Sequence, residues 1–194
     1  GANIALHGNN KSEAEIARAI RNGLGRVVAD SVDEIKLIER VYAELAAERV
    51  AEGEEPYPPV PVLIRITPGV HASTHESIAT AHEDQKFGMS LQPGTAALAG
   101  LEEEELEHWG VEATDSYAAL AATILNATDS LDFRGIHCHI GSQIFEAEGF
   151  EQAATTALEF MNRLNRDLGV TLPELDLGGG YGIGYTEADH PRSI

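Results

Sequence analysis

Apolar residues along this chain follow two alternating spacings, and together they predict an α/β fold. Short runs of consecutive apolar residues are typical of buried parallel strands, whereas apolar residues three or four positions apart are typical of amphipathic helices. Strands are predicted at residues 4–7, 26–29, 62–66 and 172–177, and in a run that ends at Ile140. Because helical segments separate these strands, the pattern indicates successive βα units around a parallel sheet.

The helical segments carry start signals and apolar faces. Ser12 and Ser31 each precede a periodic segment and are predicted to N-cap the first two helices. The second helix has an apolar stripe that is predicted to face the core, made of Ile35, Leu37, Ile38, Val41, Tyr42 and Leu45. Further helices are predicted over residues 94–106, 113–127 and 149–168, and the proline-rich segment 51–61 is predicted to be an exposed loop.

The composition argues against several classes of partner. The chain has 194 residues, the length of one ordinary domain, and a formal net charge of −19 from 32 acidic and 13 basic residues. This charge argues against nucleic-acid binding, because no basic patch can neutralise phosphates. No apolar run is long enough to span a membrane. Cys138 is the single cysteine, so no intrachain disulfide can form, and we expect a cytoplasmic protein.

Two histidines lie near the end of the strand predicted to end at Ile140. Side chains alternate along a strand, so His137 and His139 point to one side and Cys138 to the other. Gly141 and Ser142 follow, where a βα loop would begin. In an α/β barrel such loops form the catalytic face. The alternative is that one histidine packs in the core and the other caps a loop.

Gly178, Gly179 and Gly180 directly follow the predicted strand 172–177. Without Cβ atoms, their backbone N–H groups can close around an anion, most often a phosphate. The spacing matches neither the dinucleotide fingerprint nor the P-loop, and the alternative is a tight turn between packed elements. Ser142 strengthens the phosphate interpretation, because neighbouring barrel strands would bring both loops to the same face.

The histidine pair permits two chemistries. The pair could ligate a metal ion, as in amidohydrolase barrels, with a carboxylate and further ligands among His71, His75 and His82. The protein would then be a metal-dependent hydrolase. Alternatively, one imidazole could stack on a heteroaromatic cofactor whose phosphate binds the glycines. The glycine segment favours the second chemistry, because a hydrolytic metal site needs no phosphate cradle.

Two further polar features lie at predicted strand ends. Arg65 lies within an apolar strand and must meet an anion or a polar network, because a buried unpaired charge is costly. A structural salt bridge and a cofactor contact fit this requirement equally well. The polar segment from His7 to Ser12 is predicted to be a capping loop between strand and helix.

Five motifs occur along the chain: His7-Gly-Asn-Asn-Lys-Ser12, Arg65-Ile-Thr-Pro-Gly69, Thr80-Ala-His-Glu-Asp-Gln-Lys-Phe-Gly88, Gly135-Ile-His-Cys-His-Ile-Gly-Ser-Gln-Ile-Phe145 and Asp176-Leu-Gly-Gly-Gly-Tyr-Gly-Ile183. Together they resemble the diaminopimelate decarboxylase family, pyridoxal-phosphate enzymes of the alanine-racemase-like barrel class. They extend over essentially the whole chain, and their combination is highly specific although no single motif is.

The resemblance implies pyridoxal 5'-phosphate as cofactor, a small amino-acid substrate, and decarboxylation of meso-2,6-diaminopimelate to L-lysine by a homodimer. It implies that His139 stacks on the pyridine ring and that His137 supports it. Ser142 and the backbone of residues 178–180 would hold the phosphate, and Arg65 would belong to the network beneath the cofactor. Related barrels decarboxylate ornithine or arginine, or racemise alanine, so another substrate is the alternative.

The chain also departs from the family pattern. The family's Schiff-base lysine lies in a Tyr-Ala-x-Lys-Ala context, which none of Lys11, Lys36 and Lys86 matches. The family's Glu-Pro-Gly-Arg motif and C-terminal β-domain are also unmatched. We therefore expect residues 1–194 to be the central part of a (β/α)8 TIM-type barrel, with about five consecutive βα units. We also expect no catalytic residue in this chain and no activity of the piece by itself.

Overall fold

The computed structural model describes residues 1–69 and 87–185, and its strands form one parallel sheet. The strands are β1 (Ala5–Leu6), β2 (Arg26–Ala29), β3 (Val60–Thr67), β4 (Met89–Ser90), β5 (Leu131–His137) and β6 (Glu174–Asp176). Along the sheet the order is β1-β2-β3-β5-β6, and the two-residue β4 pairs with the carboxyl end of β3. Every pairing is parallel, which confirms the predicted succession of βα units.

The sheet curls into part of a barrel. Arg26 at the start of β2 forms an ion pair with Glu174 at the start of β6, although β3 and β5 lie between these strands. In a flat sheet the two side chains would stand parallel to each other, about 14 Å apart. Their contact requires strong curvature, as in the predicted barrel.

The helices of the described residues are α1 (Glu13–Arg21), α2 (Val32–Ala51), α3 (Glu103–His108), α4 (Tyr117–Asn126) and α5 (Glu148–Asp167), with a 3-10 helix at Ala96–Ala99. Ser12 caps α1 through a capping box with Glu15, and the Ser31 hydroxyl accepts the Glu34 N–H at the start of α2. Both predicted caps are confirmed. None of the helices within residues 1–69 and 87–185 is both long and apolar enough to cross a membrane.

The apolar stripe of α2 packs into the core, as predicted. Its members Ile35, Ile38, Val41 and Leu45 are buried, and Leu37 and Tyr42 pack against the same core while partly exposed. This packing fixes the first turn of α2 against the carboxyl end of β2, where Asp30 lies.

The helix predicted over residues 94–106 is wrong. Gly100 adopts a φ of 65° and ends the 3-10 helix, and α3 begins only after Glu102, which forms a capping box with Glu105. The next helix begins at Tyr117 rather than near residue 113, because Ser116 caps it. The pattern does not predict β4, since a two-residue strand leaves no periodicity.

Two strand boundaries bear on the candidate residues. β5 ends at His137, so His139 lies in the following loop and not in the strand. β3 begins at Val60, inside the segment predicted as a loop, and includes Arg65 near its carboxyl end. Both residues therefore lie at the carboxyl edge of the sheet.

Candidate cofactor site

One cavity lies where the carboxyl ends of the strands meet. Its volume is about 380 Å³, and its lining comprises His7, Arg65, His137, His139, Asp176, Gly178 and Gly179. Parallel strands place their carboxyl ends at the same edge of a sheet, so residues far apart in sequence meet there. Five residues predicted to form the site, all except Ser142 and Gly180, thus surround a single cavity.

A larger cavity, of about 600 Å³, lies at the amino ends of β2 and β3. Its lining is largely apolar, with Leu24, Val27 and Pro59 among its members, and it contains none of the predicted site residues. In α/β barrels this end contributes to stability, whereas catalytic groups gather at the carboxyl end. The smaller cavity is therefore the candidate site.

His137 is the most buried of the three imidazoles around the cavity. It is 4% exposed, and its ring packs edge-on against the His7 ring with centroids 4.8 Å apart. Its Nδ1 lies 3.2 Å from Oδ2 of Asp176. The two atoms are close but do not form an aligned hydrogen bond, because Nδ1 has no hydrogen-bond partner within the described residues. The supporting role of His137 stays a prediction, with these contacts as its physical basis.

Asp176 joins the end of β6 to the glycine segment. Its Oδ1 accepts a hydrogen bond from the Gly178 N–H at 2.8 Å. The His137 imidazole and then this N–H hold the pKa of Asp176 at about 2, so the carboxylate is charged at neutral pH. Gly178 thus uses its N–H inside the protein. The N–H groups of Gly179 and Gly180 have no acceptor within residues 1–69 and 87–185.

Gly178 allows the glycine segment to lie against His139. Its φ is 71°, and a Cβ there would lie 2.9 Å from Nδ1 of His139 and 2.8 Å from the carbonyl oxygen of Cys138. A Cβ on Gly179 would instead meet no atom within 4 Å. Open space beside N–H groups that lack acceptors is what a phosphate cradle requires. The residues present therefore fit a phosphate-bearing cofactor.

Gly180 and Ser142 lie where the two loops touch, beside the cavity and not on its lining. A Cβ on Gly180 would lie 1.8 Å from the carbonyl oxygen of Gly141. The Gly180 carbonyl accepts a hydrogen bond from the Ile144 N–H at 2.9 Å, and Ser142 is exposed. Their phosphate contacts stay predictions, but the close approach of the two loops depends on glycine at position 180.

Arg65 meets a polar network. Its Nη1 lies 3.3 Å from Oδ1 of Asp30, and its guanidinium lies over the Phe87 ring, 5.1 Å from the centroid. Oδ2 of Asp30 accepts a hydrogen bond from the Gly88 N–H at 3.2 Å. Because Arg65 also lines the cavity, a salt bridge and a cofactor contact are compatible with each other.

The pKa values of two imidazoles at the cavity are lowered, which favours their uncharged form. Burial lowers the pKa of His139, and the Arg65 guanidinium lowers it further. Burial and the neighbouring His137 likewise lower the pKa of His7. Cys138, which does not line the cavity, is buried in the core, and this burial raises its pKa to about 12. A neutral, flat imidazole at position 139 suits stacking on a heteroaromatic ring.

The metal-site interpretation of His137 and His139 gains no third ligand from the structure. Within residues 1–69 and 87–185, no three His, Cys, Asp or Glu side chains are placed to hold one metal ion. His71, His75 and His82 lie outside the described residues.

Three residues of this arrangement are not among those predicted from the sequence. Asp176 is a charged residue at the end of an apolar strand, and Asp30 is a charged residue directly after β2. A charge in an apolar strand is also the signal that identified Arg65. Asp176 and Asp30 could both be found by searching strand ends for charges. The place of His7 beside His137 depends on the pairing of strands far apart in sequence, which no local pattern reveals.

Comparison with known families gives a match along the chain. The family described as "Pyridoxal-dependent decarboxylase, pyridoxal binding domain" matches residues 1–114 and 101–194. The chain is similar to the diaminopimelate decarboxylase of Corynebacterium efficiens, with 44% identity over 194 residues, 100% of this chain and 35% of the relative. Against the diaminopimelate decarboxylase of Mycobacterium tuberculosis, identity is 38% over 98% of this chain and 36% of the relative. The chain thus spans about a third of the length of these relatives.

Solved structures resemble the chain over nearly its whole length. Diaminopimelate decarboxylase from Helicobacter pylori, complexed with L-lysine, has a TM-score of 0.73 at 24% identity, covering 99% of this chain and 39% of that one. The enzyme from M. jannaschii, in co-complex with L-lysine, has a TM-score of 0.69 at 25% identity, covering 96% and 35%. These likenesses confirm the predicted α/β barrel fold.

Proposed function

Because the chain belongs to the pyridoxal-dependent decarboxylases, through their pyridoxal-binding domain, we propose that it is the central part of a longer enzyme that converts meso-2,6-diaminopimelate to L-lysine. The observation that carries this proposal is the cavity in which His139 lies against the glycine segment. Relatives at 38% and 44% identity are named diaminopimelate decarboxylases, and two similar structures are complexes with L-lysine, the product of this reaction. Both facts support the choice of substrate.

Bound pyridoxal 5'-phosphate supplies an electron sink for the carbanion that remains when carbon dioxide leaves. The residues of this chain bind and orient the cofactor. His139 would present its ring to the pyridine, and the N–H groups of Gly179 and Gly180 would donate to the phosphate together with Ser142. Arg65, held in place by Asp30, lies at the same cavity and fixes a positive charge near the cofactor. His137 supports the arrangement through Asp176.

Substrate choice is tested with the full-length enzyme loaded with pyridoxal 5'-phosphate. Carbon dioxide release is measured with meso-2,6-diaminopimelate, L-lysine, L-ornithine and L-arginine as separate substrates. L-lysine and L-ornithine matter because the lysine/ornithine decarboxylase of Vibrio vulnificus shares the fold, with a TM-score of 0.57, and L-arginine is the substrate of other related barrels. We expect release, with formation of L-lysine, from diaminopimelate alone. Release from another substrate but not from diaminopimelate would contradict the proposal.

The isolated piece, residues 1–194, and the longer enzyme are expected to differ in activity. Since no lysine of residues 1–194 matches the family's Schiff-base context, the isolated piece is expected to release no carbon dioxide from any of these substrates. For the longer enzyme, we propose a homodimer in the cytoplasm, as the family resemblance implies. Its mass in solution tests the dimer.

A further inference from the structure

Lys11 is a buried cation that does not line the cavity. It is 6% exposed, and its ammonium donates to Oε2 of Glu34 at 2.9 Å, to the Val28 carbonyl at 2.6 Å and to the Gly8 carbonyl at 2.5 Å. An ammonium has three N–H donors, so each one has an acceptor. Gly8 follows His7 directly, and Val28 lies near the carboxyl end of β2. Lys11 therefore ties the loop after β1 to the neighbouring strand.

Glu34 extends this network toward Arg65. It is 6% exposed, and the same Oε2 that accepts from Lys11 also accepts the Asp30 N–H at 2.9 Å. Asp30 in turn faces Arg65 through Oδ1 and accepts the Gly88 N–H through Oδ2. A continuous set of polar contacts thus runs from Lys11 through Glu34 and Asp30 to a residue of the cavity lining.

Stability alone does not account for this pair. Two apolar side chains of similar volume often stabilise a fold as well as a buried ion pair does, because burying charges is costly. An apolar pair could not satisfy the Gly8 and Val28 carbonyls, nor the Asp30 N–H. What the charged pair adds is a fixed position for these three backbone groups.

We propose that Lys11 and Glu34 are a positioning pair for the cofactor cavity. Lys11 holds the loop that places His7 beside His137, and Glu34 holds the Asp30 backbone that places Arg65. The inference rests on the proposed function. Each of the three N–H groups of Lys11 already has an acceptor, so its ammonium is not placed to react with the aldehyde of the cofactor. The inference therefore gives Lys11 a positioning role and not a catalytic one.

The test uses the full-length enzyme, three single variants and the double variant Lys11→Met/Glu34→Gln. Lys11→Met removes the donors while keeping an unbranched chain, and Glu34→Gln is isosteric. Lys36→Met is the matched control, because Lys36 is exposed and contacts only Glu105 at 3.6 Å among the described ion pairs. The dissociation constant for pyridoxal 5'-phosphate, the visible circular dichroism of the saturated protein and the thermal unfolding temperature are measured for each.

We expect Lys11→Met and Glu34→Gln to bind pyridoxal 5'-phosphate roughly 10-fold more weakly, the scale seen when residues supporting a ligand shell are removed. The visible circular dichroism at saturation should change as well, because the bound ring is held differently. The double variant should bind pyridoxal 5'-phosphate with about the affinity of the single variant that binds it less tightly, since the pair acts as one unit. Lys36→Met should match the unchanged enzyme.

Folded variants with unchanged affinity and unchanged circular dichroism would overturn the inference and leave the proposed function intact. If Lys11→Met does not fold, the isosteric Glu34→Gln decides by the same two readouts. If the unchanged enzyme itself does not bind pyridoxal 5'-phosphate, the proposed function fails and the inference fails with it.

Discussion

The two ends of the sheet both carry charged and polar groups, but these groups differ in whether they have partners within the protein. At the amino end, Arg26 and Arg134 both donate to the Glu174 carboxylate, so the charges there partner one another. At the carboxyl end, Nδ1 of His137 has no aligned partner within residues 1–69 and 87–185. The N–H groups of Gly179 and Gly180 also lack acceptors in that part of the chain.

This difference separates stability from binding. Nδ1 of His137 is buried, and buried polar groups in folded proteins are nearly always hydrogen-bonded. The N–H groups of Gly179 and Gly180, which are only partly buried, lie at the same end of the sheet, and together these groups support a ligand there.

At the amino end, the ion pairs of Glu174 with Arg26 and Arg134 need no ligand. The buried Nε of Arg49, which also lacks a hydrogen-bond partner among the described residues, belongs to a guanidinium that lies over the Tyr57 ring. Substitutions at the amino end should therefore affect folding, and substitutions at the carboxyl end should affect cofactor binding.

The largest expected effect is on cofactor affinity, at His139. His139→Ala in the full-length enzyme removes the stacking ring, and aromatic stacking of this kind contributes about 1–3 kcal/mol. The dissociation constant for pyridoxal 5'-phosphate, measured by absorbance titration, should rise roughly 10- to 100-fold. Cys138→Ala is the neighbouring control, because Cys138 faces the core. It should lower the unfolding temperature and leave the affinity unchanged, and a reversed pattern would contradict the assignment of His139.

A smaller effect, on stability, is expected at the amino end. Glu174→Gln removes the charge that both Arg26 and Arg134 contact, and the loss should lower the free energy of unfolding by about 1–2 kcal/mol, since two charge-assisted hydrogen bonds are weakened at a partly exposed site. Urea unfolding measures this change. Affinity for pyridoxal 5'-phosphate should stay the same, and a large loss of affinity would show that the two ends are not separable.

The smallest effect is a pH dependence at Asp176. Its folded-state pKa is about 2, below its ordinary value of 3.8, so the ionised carboxylate stabilises the folded protein above about pH 4. That stabilisation is lost as the pH falls toward 2. Asp176→Asn should accordingly lower the unfolding temperature at neutral pH, and the difference from the unchanged enzyme should vanish in acid. A difference that persists in acid would contradict an ionised Asp176.

The sequence predicts much of the fold because its signals are local. Ser12 and Ser31 cap helices through contacts three residues away, and the strand Arg26–Ala29 is a run of three apolar residues after one charge. The prediction fails over residues 94–106, where a left-handed Gly100 divides an apparently continuous helical pattern. A capping signal at Glu102 competes there with periodicity, and capping determines the boundary.

For the site, the sequence identifies groups but not their pairing. His139, Arg65 and the glycines stand out by residue type at a strand end. The partnership of Asp176 with His137 depends on the parallel register that sets His137 beside Asp176 in neighbouring strands. Such register is a property of the folded sheet. The different roles of Gly178, Gly179 and Gly180 likewise depend on contacts that form only in the folded protein.

The most direct test of a phosphate cradle at the carboxyl end is Gly179→Ala in the full-length enzyme. The protein itself leaves room for this methyl group, with no atom within 4 Å, so folding should tolerate it. If the phosphate lies against Gly179, the methyl group occupies the phosphate's place. The account predicts an affinity for pyridoxal 5'-phosphate at least roughly 10-fold lower, about 1.4 kcal/mol, with an unchanged unfolding temperature. Unchanged affinity in this variant would contradict it.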